Sequence, residues 1–327
     1  MKRMELQKYL KSNWTGREDG VDQDVLRWHQ IVQGMDLADQ KVKIGEKGIC
    51  FVGYACDLGA KENKGRAGSR FGPVELRKMC ASFPVHNRYG LYDAGDIGPV
   101  NDSIYETQQL LGRQICEILD IRLFPIVLGG DHSLAFGHYL GLQAYIKQRN
   151  SRGSLGIINF DAHFDIRKVD SHERGHSGSS FYQMSMECQA QNTSFRYLPV
   201  GIQKNSNTVQ LYKIAESLGV SYISADEFGS NDPSASQRIA DFINRVDYLY
   251  LSICLDAFSV AFAPGVSAPA GKGVIPSPAF YSFLRTIVKS GKLISMDIAE
   301  LNPAFDEQQK TAKLGAGMIF EVVDNLF

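Results

Sequence analysis

Short apolar runs that stop abruptly at polar residues recur along this chain. Phe124-Pro-Ile-Val-Leu128, Leu155-Gly-Ile-Ile-Asn-Phe160 and Tyr248–Leu255 are three of them. A continuous apolar run of this length suits a strand buried on both faces. Between the runs lie longer stretches of helical period, such as Ile104–Leu119, where Leu110, Leu111, Ile115 and Ile118 face inward. This alternation predicts α/β architecture: a three-layer α/β/α sandwich around a mostly parallel sheet, with about eight strands. The strands expected are Gly48–Tyr54, Leu91–Ile97, Phe124–Leu128, Leu155–Phe160, Tyr197–Gly201, Ser221–Ser224, Tyr248–Leu255 and Leu293–Ile298. Helices are expected over Val21–Gln33, from Pro73 onward, over Thr208–Leu218 and Ser234–Val246, and over Glu307–Asn325. No linker or repeat divides the chain. Residues 48–327 read as one domain, and the polar stretch 1–47, which carries Trp14 and Trp28, as an extension packing on it.

In open α/β sheets ligands bind beyond the carboxyl ends of the strands. The notable polar residues here all follow strands: Arg66, Asp131-His132, Asp161-x-His163-x-Asp165, Cys254-x-Asp256 and Glu300. On a continuing strand Asp161, His163 and Asp165 would share one face; at a strand end they can converge on one point. Aspartate and histidine together suit manganese or zinc better than an all-oxygen calcium site. The motif alone is equally consistent with a polar turn, because short motifs match by chance. Five strand ends feeding one polar cluster are hard to reconcile with solvated loops.

Other classes are excluded. A net charge of −1 gives no electrostatic case for nucleic acid or an anionic membrane surface. No apolar run reaches the roughly 18 residues of a membrane span. The start, Met1-Lys-Arg-Met-Glu-Leu-Gln7, lacks the apolar core of a signal peptide. Cysteines 50, 56, 80, 116, 188 and 254 have no paired spacing, so neither a disulfide framework nor a zinc ribbon is expected, and the cytosol is the expected compartment.

Gly129-Gly-Asp-His-Ser133, Asp161-Ala-His-Phe-Asp165, Ser252-Ile-Cys-Leu-Asp256 and Glu300-Leu-Asn-Pro303 occur in this order. The chain thereby resembles the ureohydrolases: arginases, agmatinases and formiminoglutamases. Asn63-Lys-Gly-Arg66, the stretch Leu255–Pro269 and the Ser-Gly at positions 177–178 resemble the formiminoglutamase branch in particular. The resemblance implies hydrolysis of N-formimino-L-glutamate to L-glutamate and formamide, a step of histidine degradation. The alternatives are an agmatinase-like guanidino or amidino hydrolase and a catalytically impaired regulator that binds an amino acid.

The resemblance further implies two manganese ions. His132, Asp161 and Asp165 would hold one; Asp161, His163 and Asp256 the other, with Asp161 shared. Two such ions can activate a water between them. Cys254 stands where most ureohydrolases have a bridging aspartate, which bears on occupancy of the second ion, since manganese prefers oxygen. Glu300 would orient the cationic formimino group. Asp165 would take the proton of the attacking water; the group that protonates the leaving amine stays open, with His176 a candidate. Arg167, Arg66 and Ser177 would meet the substrate's glutamate half, arginine being suited to carboxylates. A homo-oligomer acting on a small molecule is implied as well. In such a fold Cys56 and Cys254 both border the site, so a redox-responsive disulfide between them is weighed against two buried thiols that never meet.

Overall fold

The computed structural model describes residues 6–37, 47–86, 89–149, 153–169, 175–230 and 233–327. The strands in chain order are β1 (Leu6–Gln7), β2 (Gln33–Gly34), β3 (Gly48–Tyr54), β4 (Gly90–Ile97), β5 (Phe124–Leu128), β6 (Leu155–Phe160), β7 (Tyr197–Ile202), β8 (Ile223–Ser224), β9 (Tyr248–Cys254) and β10 (Leu293–Ala299). Among the described residues they form one ten-stranded sheet in the order β1-β4-β3-β5-β10-β9-β6-β7-β8, with β2 also on β4. Every pairing is parallel except β1 on β4. The eight expected strands are all present. The two additional ones, β1 and β2, are two residues each, too short for any periodicity to reveal.

Alternation within the strands divides the core in two. Ile49, Phe51, Ile126, Leu128, Ile158 and Phe160 face one layer of helices, which includes Gly72–Cys80, Pro278–Val288 and Lys310–Asn325. Cys50, Val52, Val127 and Ile157 face the other, which includes Ile104–Asp120, Leu134–Gln148 and Ser180–Ala190. Both faces are covered, so the strands can be apolar throughout. The helices Ile104–Asp120 and Leu134–Gln148 approach closely because Gly141 has no side chain: a Cβ there would lie 2.5 Å from the Gly112 carbonyl oxygen. Leu111, Ile115 and Ile118 are buried as expected, whereas Leu110 is only half-buried.

Two helix expectations change. The helix expected over Val21–Gln33 shrinks to Trp28–Ile31, preceded by a single 3₁₀ turn at Gln23–Val25. Tertiary pairing takes the backbone groups instead: Trp28 N–H donates to Phe83 O, His29 N–H to Ala81 O, and Val85 N–H to Leu26 O. Trp14 and Trp28 are buried, their rings 5.4 and 6.0 Å from that of Phe51 on β3. The last helix begins at Lys310 rather than Glu307, because Gln308 and Gln309 have positive φ and the Asp306 carboxylate accepts from Thr311 and Ala312 N–H.

Candidate metal centre

The carboxyl ends of β5, β10, β9 and β6, four neighbours in the sheet, supply the polar cluster; the expected contribution from the end of β3, Arg66, does not join it. The turn after β5 can enter it only through glycine: a Cβ on Gly129 would stand 2.2 Å from Ile298 O, and one on Gly130 2.1 Å from Cys56 O. That close approach sets His132 beside the end of β6. Asp131, buried next to it, is committed to structure, its carboxylate accepting from Ala60 N–H and Ser133 N–H. Asp165 and Glu300 both have left-handed backbones, with φ of 47° and 70°. Such conformations cost energy for residues other than glycine and gather at functional sites.

The side chains converge. His132 Nδ1 lies 2.9 Å from Asp165 Oδ2 and 3.1 Å from Asp161 Oδ2. His163 Nδ1 lies 3.2 Å from Asp256 Oδ2 and 3.4 Å from Asp161 Oδ1. His132, Asp161 and Cys254 form one group whose ligand atoms lie within 4.8 Å of one another, and Asp161, His163 and Asp256 form another. Asp161 belongs to both. His132 Nδ1, Asp256 Oδ1 and Glu300 Oε2 are buried without a hydrogen-bond partner among the described residues. Buried polar atoms are normally paired, and here three unpaired ones point into a group of carboxylates. Imidazole and carboxylate groups converging in this way are donors that divalent cations take, so the donor set fits such ions, with Asp161 common to both groups.

The electrostatics carry the same signature. Burial alone would raise the Asp161 carboxyl, but His132 and His163 hold it below the usual range. Burial, and then the neighbouring Asp161, push Asp165 up to about 6. Burial with Asp131 and Asp256 raises Glu300 well above an ordinary glutamate. Burial with Asp161 and Asp256 raises the Cys254 thiol. Acids crowd this pocket beyond what its two imidazoles offset.

The remaining expected residues separate. Ser177 Oγ accepts from Asn63 Nδ2 at 3.1 Å, tying the loop after β3 to the loop after β6. His176 Nδ1 accepts from Gly178 N–H, which places the proton of a neutral ring on Nε2. Arg167, His176, Asn63, Lys64 and Lys168 line a cleft of about 380 Å³ in which Glu62 is the one carboxylate among the described residues. Arg66 stands elsewhere: its guanidinium donates to the Val266 and Ser267 carbonyls and lies 4.1 Å from the Phe305 ring centroid, so it secures the loop 263–278. His172, also in the loop after β6, lies outside the described residues.

Of the two readings of Cys56 and Cys254, the structure has the buried thiols that never meet, and the alternative disulfide is absent: both are free and buried. β5 and β10 stand between β3 and β9, so the two strand ends are three strand spacings apart, roughly 14 Å at about 4.8 Å each. A disulfide needs Cα atoms within about 7 Å.

One part of the site escaped the sequence reading. Behind His132 stand Ser252, Asp297, Tyr250, His138 and Ser295, all fully buried and hydrogen-bonded in series. The available signal was a serine and an aspartate inside the otherwise apolar β10 run, Leu-Ile-Ser-Met-Asp-Ile-Ala.

The arginase family model matches residues 47–324. The chain belongs to the arginase family. Among curated members it is 41% identical over 319 residues to the formimidoylglutamase of Clostridium tetani, covering 96% of this chain and 94% of that one. It is 37% identical over 316 residues to the formimidoylglutamase of Ralstonia nicotianae, covering 96% and 95%. Of solved arginase-family structures, the Bacillus subtilis formimidoylglutamase superposes with a TM-score of 0.78 at 20% identity, over 95% of this chain and 96% of that one. The Trypanosoma cruzi formiminoglutamase with Mn²⁺ superposes with a TM-score of 0.73 at 23% identity, over 88% and 97%. At those identities the structural likeness concerns the arginase fold alone.

Proposed function

We propose that this arginase-family enzyme hydrolyses N-formimino-L-glutamate to L-glutamate and formamide, as a step of histidine degradation. The observation that carries the reading is near-full-length identity of 36–41% to formimidoylglutamases. The open cluster at the strand ends supports it.

In this reading His132, Asp161 and Asp165 hold one manganese ion and Asp161, His163 and Asp256 the other, with the Cys254 thiol beside His132 and Asp161. When bound, the pair supplies Lewis acidity and a water of lowered pKa. The chain's own residues do the rest. Glu300 Oε1 is held by His132 N–H at 2.8 Å, and its unpaired Oε2 receives an N–H of the amidinium in a charge-assisted hydrogen bond. The Asp165 carboxylate, pushed up to about 6, takes the proton of the attacking water, since a base poised near neutrality transfers protons best. The proton that Asp165 receives passes to the departing amine, and His176 Nε2–H donates a hydrogen bond to that nitrogen. Arg167, with Lys64 and Lys168 in the same cleft, binds the glutamate carboxylates; the cleft is of ordinary small-ligand size. That cationic lining disfavours agmatine, whose tail is itself cationic. Ser177 braces the loop beside it, and Arg66 acts through loop 263–278.

No helix among the described residues is long and apolar enough to cross a membrane. We place the enzyme in the cytosol, as a homo-oligomer in which residues 1–47 extend the catalytic unit 48–327. The test is turnover of formiminoglutamate, agmatine and arginine by reduced, manganese-loaded protein. Formiminoglutamate should be preferred by at least about 100-fold, on the scale set by leaving polar groups of a site unpaired. A preference for agmatine or arginine overturns the assignment.

A further inference from the structure

Deep in the sheet, directly beneath the metal cluster, lies a polar network that the proposed chemistry does not use. Ser252 and Asp297 face each other across the β9–β10 ladder, and Tyr250 faces Ser295 two residues earlier. His138 reaches the group from the helix Leu134–Gln148, with its ring 4.4 Å from that of Tyr250. Burying so many polar groups is expensive, and an apolar patch of equal volume would serve packing as well or better.

Counting donors shows how the network is directed. A hydroxyl has one proton to give. Ser252 Oγ–H donates to Asp297 Oδ1 at 2.7 Å and Tyr250 O–H donates to Asp297 Oδ2. Ser295 Oγ–H donates to Pro125 O at 2.9 Å. Ser295 can then only accept from His138 Nε2–H, at 2.6 Å, and His138 Nδ1–H donates to Asp297 Oδ2 at 2.7 Å, because the carboxylate has no proton to give. Ser252, its proton committed to Asp297, can only accept from His132 Nε2–H, at 3.0 Å. His132 therefore carries a proton on Nε2 and turns Nδ1, the atom left for an ion, toward Asp161 and Asp165.

We propose that His138 and Asp297 are positioning residues for the metal ligand His132: they hold the Ser252 hydroxyl in the one orientation that fixes the His132 tautomer and ring plane. Second partners of this kind set the orientation and basicity of metal-bound histidines. The inference rests on the two-ion reading and extends it to residues that touch neither ion nor substrate.

The experiment is manganese titration with chelator competition and Mn(II) EPR on intact protein, reading each ion's dissociation constant, beside the melting temperature of chelated protein. Ser252→Ala and His138→Phe should each weaken the ion held by His132 by about 10- to 100-fold. The ion held by His163 and Asp256 should keep its affinity. His138→Gln, which retains an N–H donor, should recover part of the loss. His29→Gln, at a buried histidine bonded to the Ala81 carbonyl far from the cluster, should change neither ion. Unchanged constants in Ser252→Ala and His138→Phe, or equal losses at both ions, overturn the proposal, since a merely structural network would lower the melting temperature without choosing between ions. If His138→Phe does not fold, Ser252→Ala, which removes a single hydroxyl, decides. A wild-type protein that takes up manganese yet ignores formiminoglutamate would sink the substrate assignment, and the titration would still decide this one. No manganese uptake at all would sink both.

Discussion

Two buried charge clusters in this molecule are built to opposite specifications. Arg77 lies between Asp93 and Asp96, with Nε and Nη2 on the Asp93 carboxylate at 2.7 and 2.9 Å and Nη1 on Asp96 at 2.5 Å. Trp14 Nε1–H and Gly95 N–H complete the shell of Asp93. None of these side chains has a buried polar atom left without a partner among the described residues. The cluster around Asp161 has more acids than bases, unpartnered atoms, and two residues in left-handed backbone. The difference is satisfaction. A closed network holds a sheet edge together, and an open one waits for positive charge from outside.

The contrast can be broken by substitution. Asp161→Asn removes the shared carboxylate of the open cluster and should lower kcat by about 10³-fold, the scale of losing a principal electrostatic group. The melting temperature of chelated protein should stay within a few degrees of wild type. Near-normal turnover in manganese-replete buffer would refute the shared-ligand reading. Arg77→Met does the reverse. It strands Asp93 and Asp96 without a counter-charge and should cost about 3–5 kcal/mol of stability, read as a loss in denaturant midpoint. Manganese affinity of the protein that remains folded should be unchanged.

Smaller effects sharpen the assignment. Arg167→Ala should raise KM for formiminoglutamate more than tenfold and leave kcat within a few-fold, since a hydrogen bond to a charged group is worth about 1.5–3 kcal/mol. An unchanged KM would remove Arg167 from the pocket. The smallest effect is on pH. Asp165 is raised in the fold, up to about 6, so in chelated protein its stabilising contribution is full below the ordinary carboxyl value and is lost as pH climbs past about 6. Manganese needs the ionised form, so its affinity should rise by up to about tenfold per pH unit below 6 and level off above. A titration flat from pH 5 to 7 would exclude Asp165 as a ligand.

Much of this was legible before any coordinates. The strands announce themselves because burial on both faces demands continuous apolar runs, and the polar cluster because Asp161, His163 and Asp165 follow such a run directly. The expected helix over Val21–Gln33 failed because its backbone found partners in the 81–85 segment, which no local pattern records. Arg66 read as a substrate contact because a loop arginine and a loop clamp look alike in sequence; only the carbonyls of Val266 and Ser267 distinguish them.

The sequence by itself determined the layered α/β architecture and the residue types gathered at the strand ends, since both follow from short-range pattern. Only the tertiary structure decided which strands are neighbours. That order brings His132 and Asp161 together, keeps Cys56 and Cys254 apart, and sets His138 against Asp297 from 159 residues away. Parallel strands pair through long crossovers, so adjacency is settled by the packing of the whole sheet and its helices rather than by any segment of the chain.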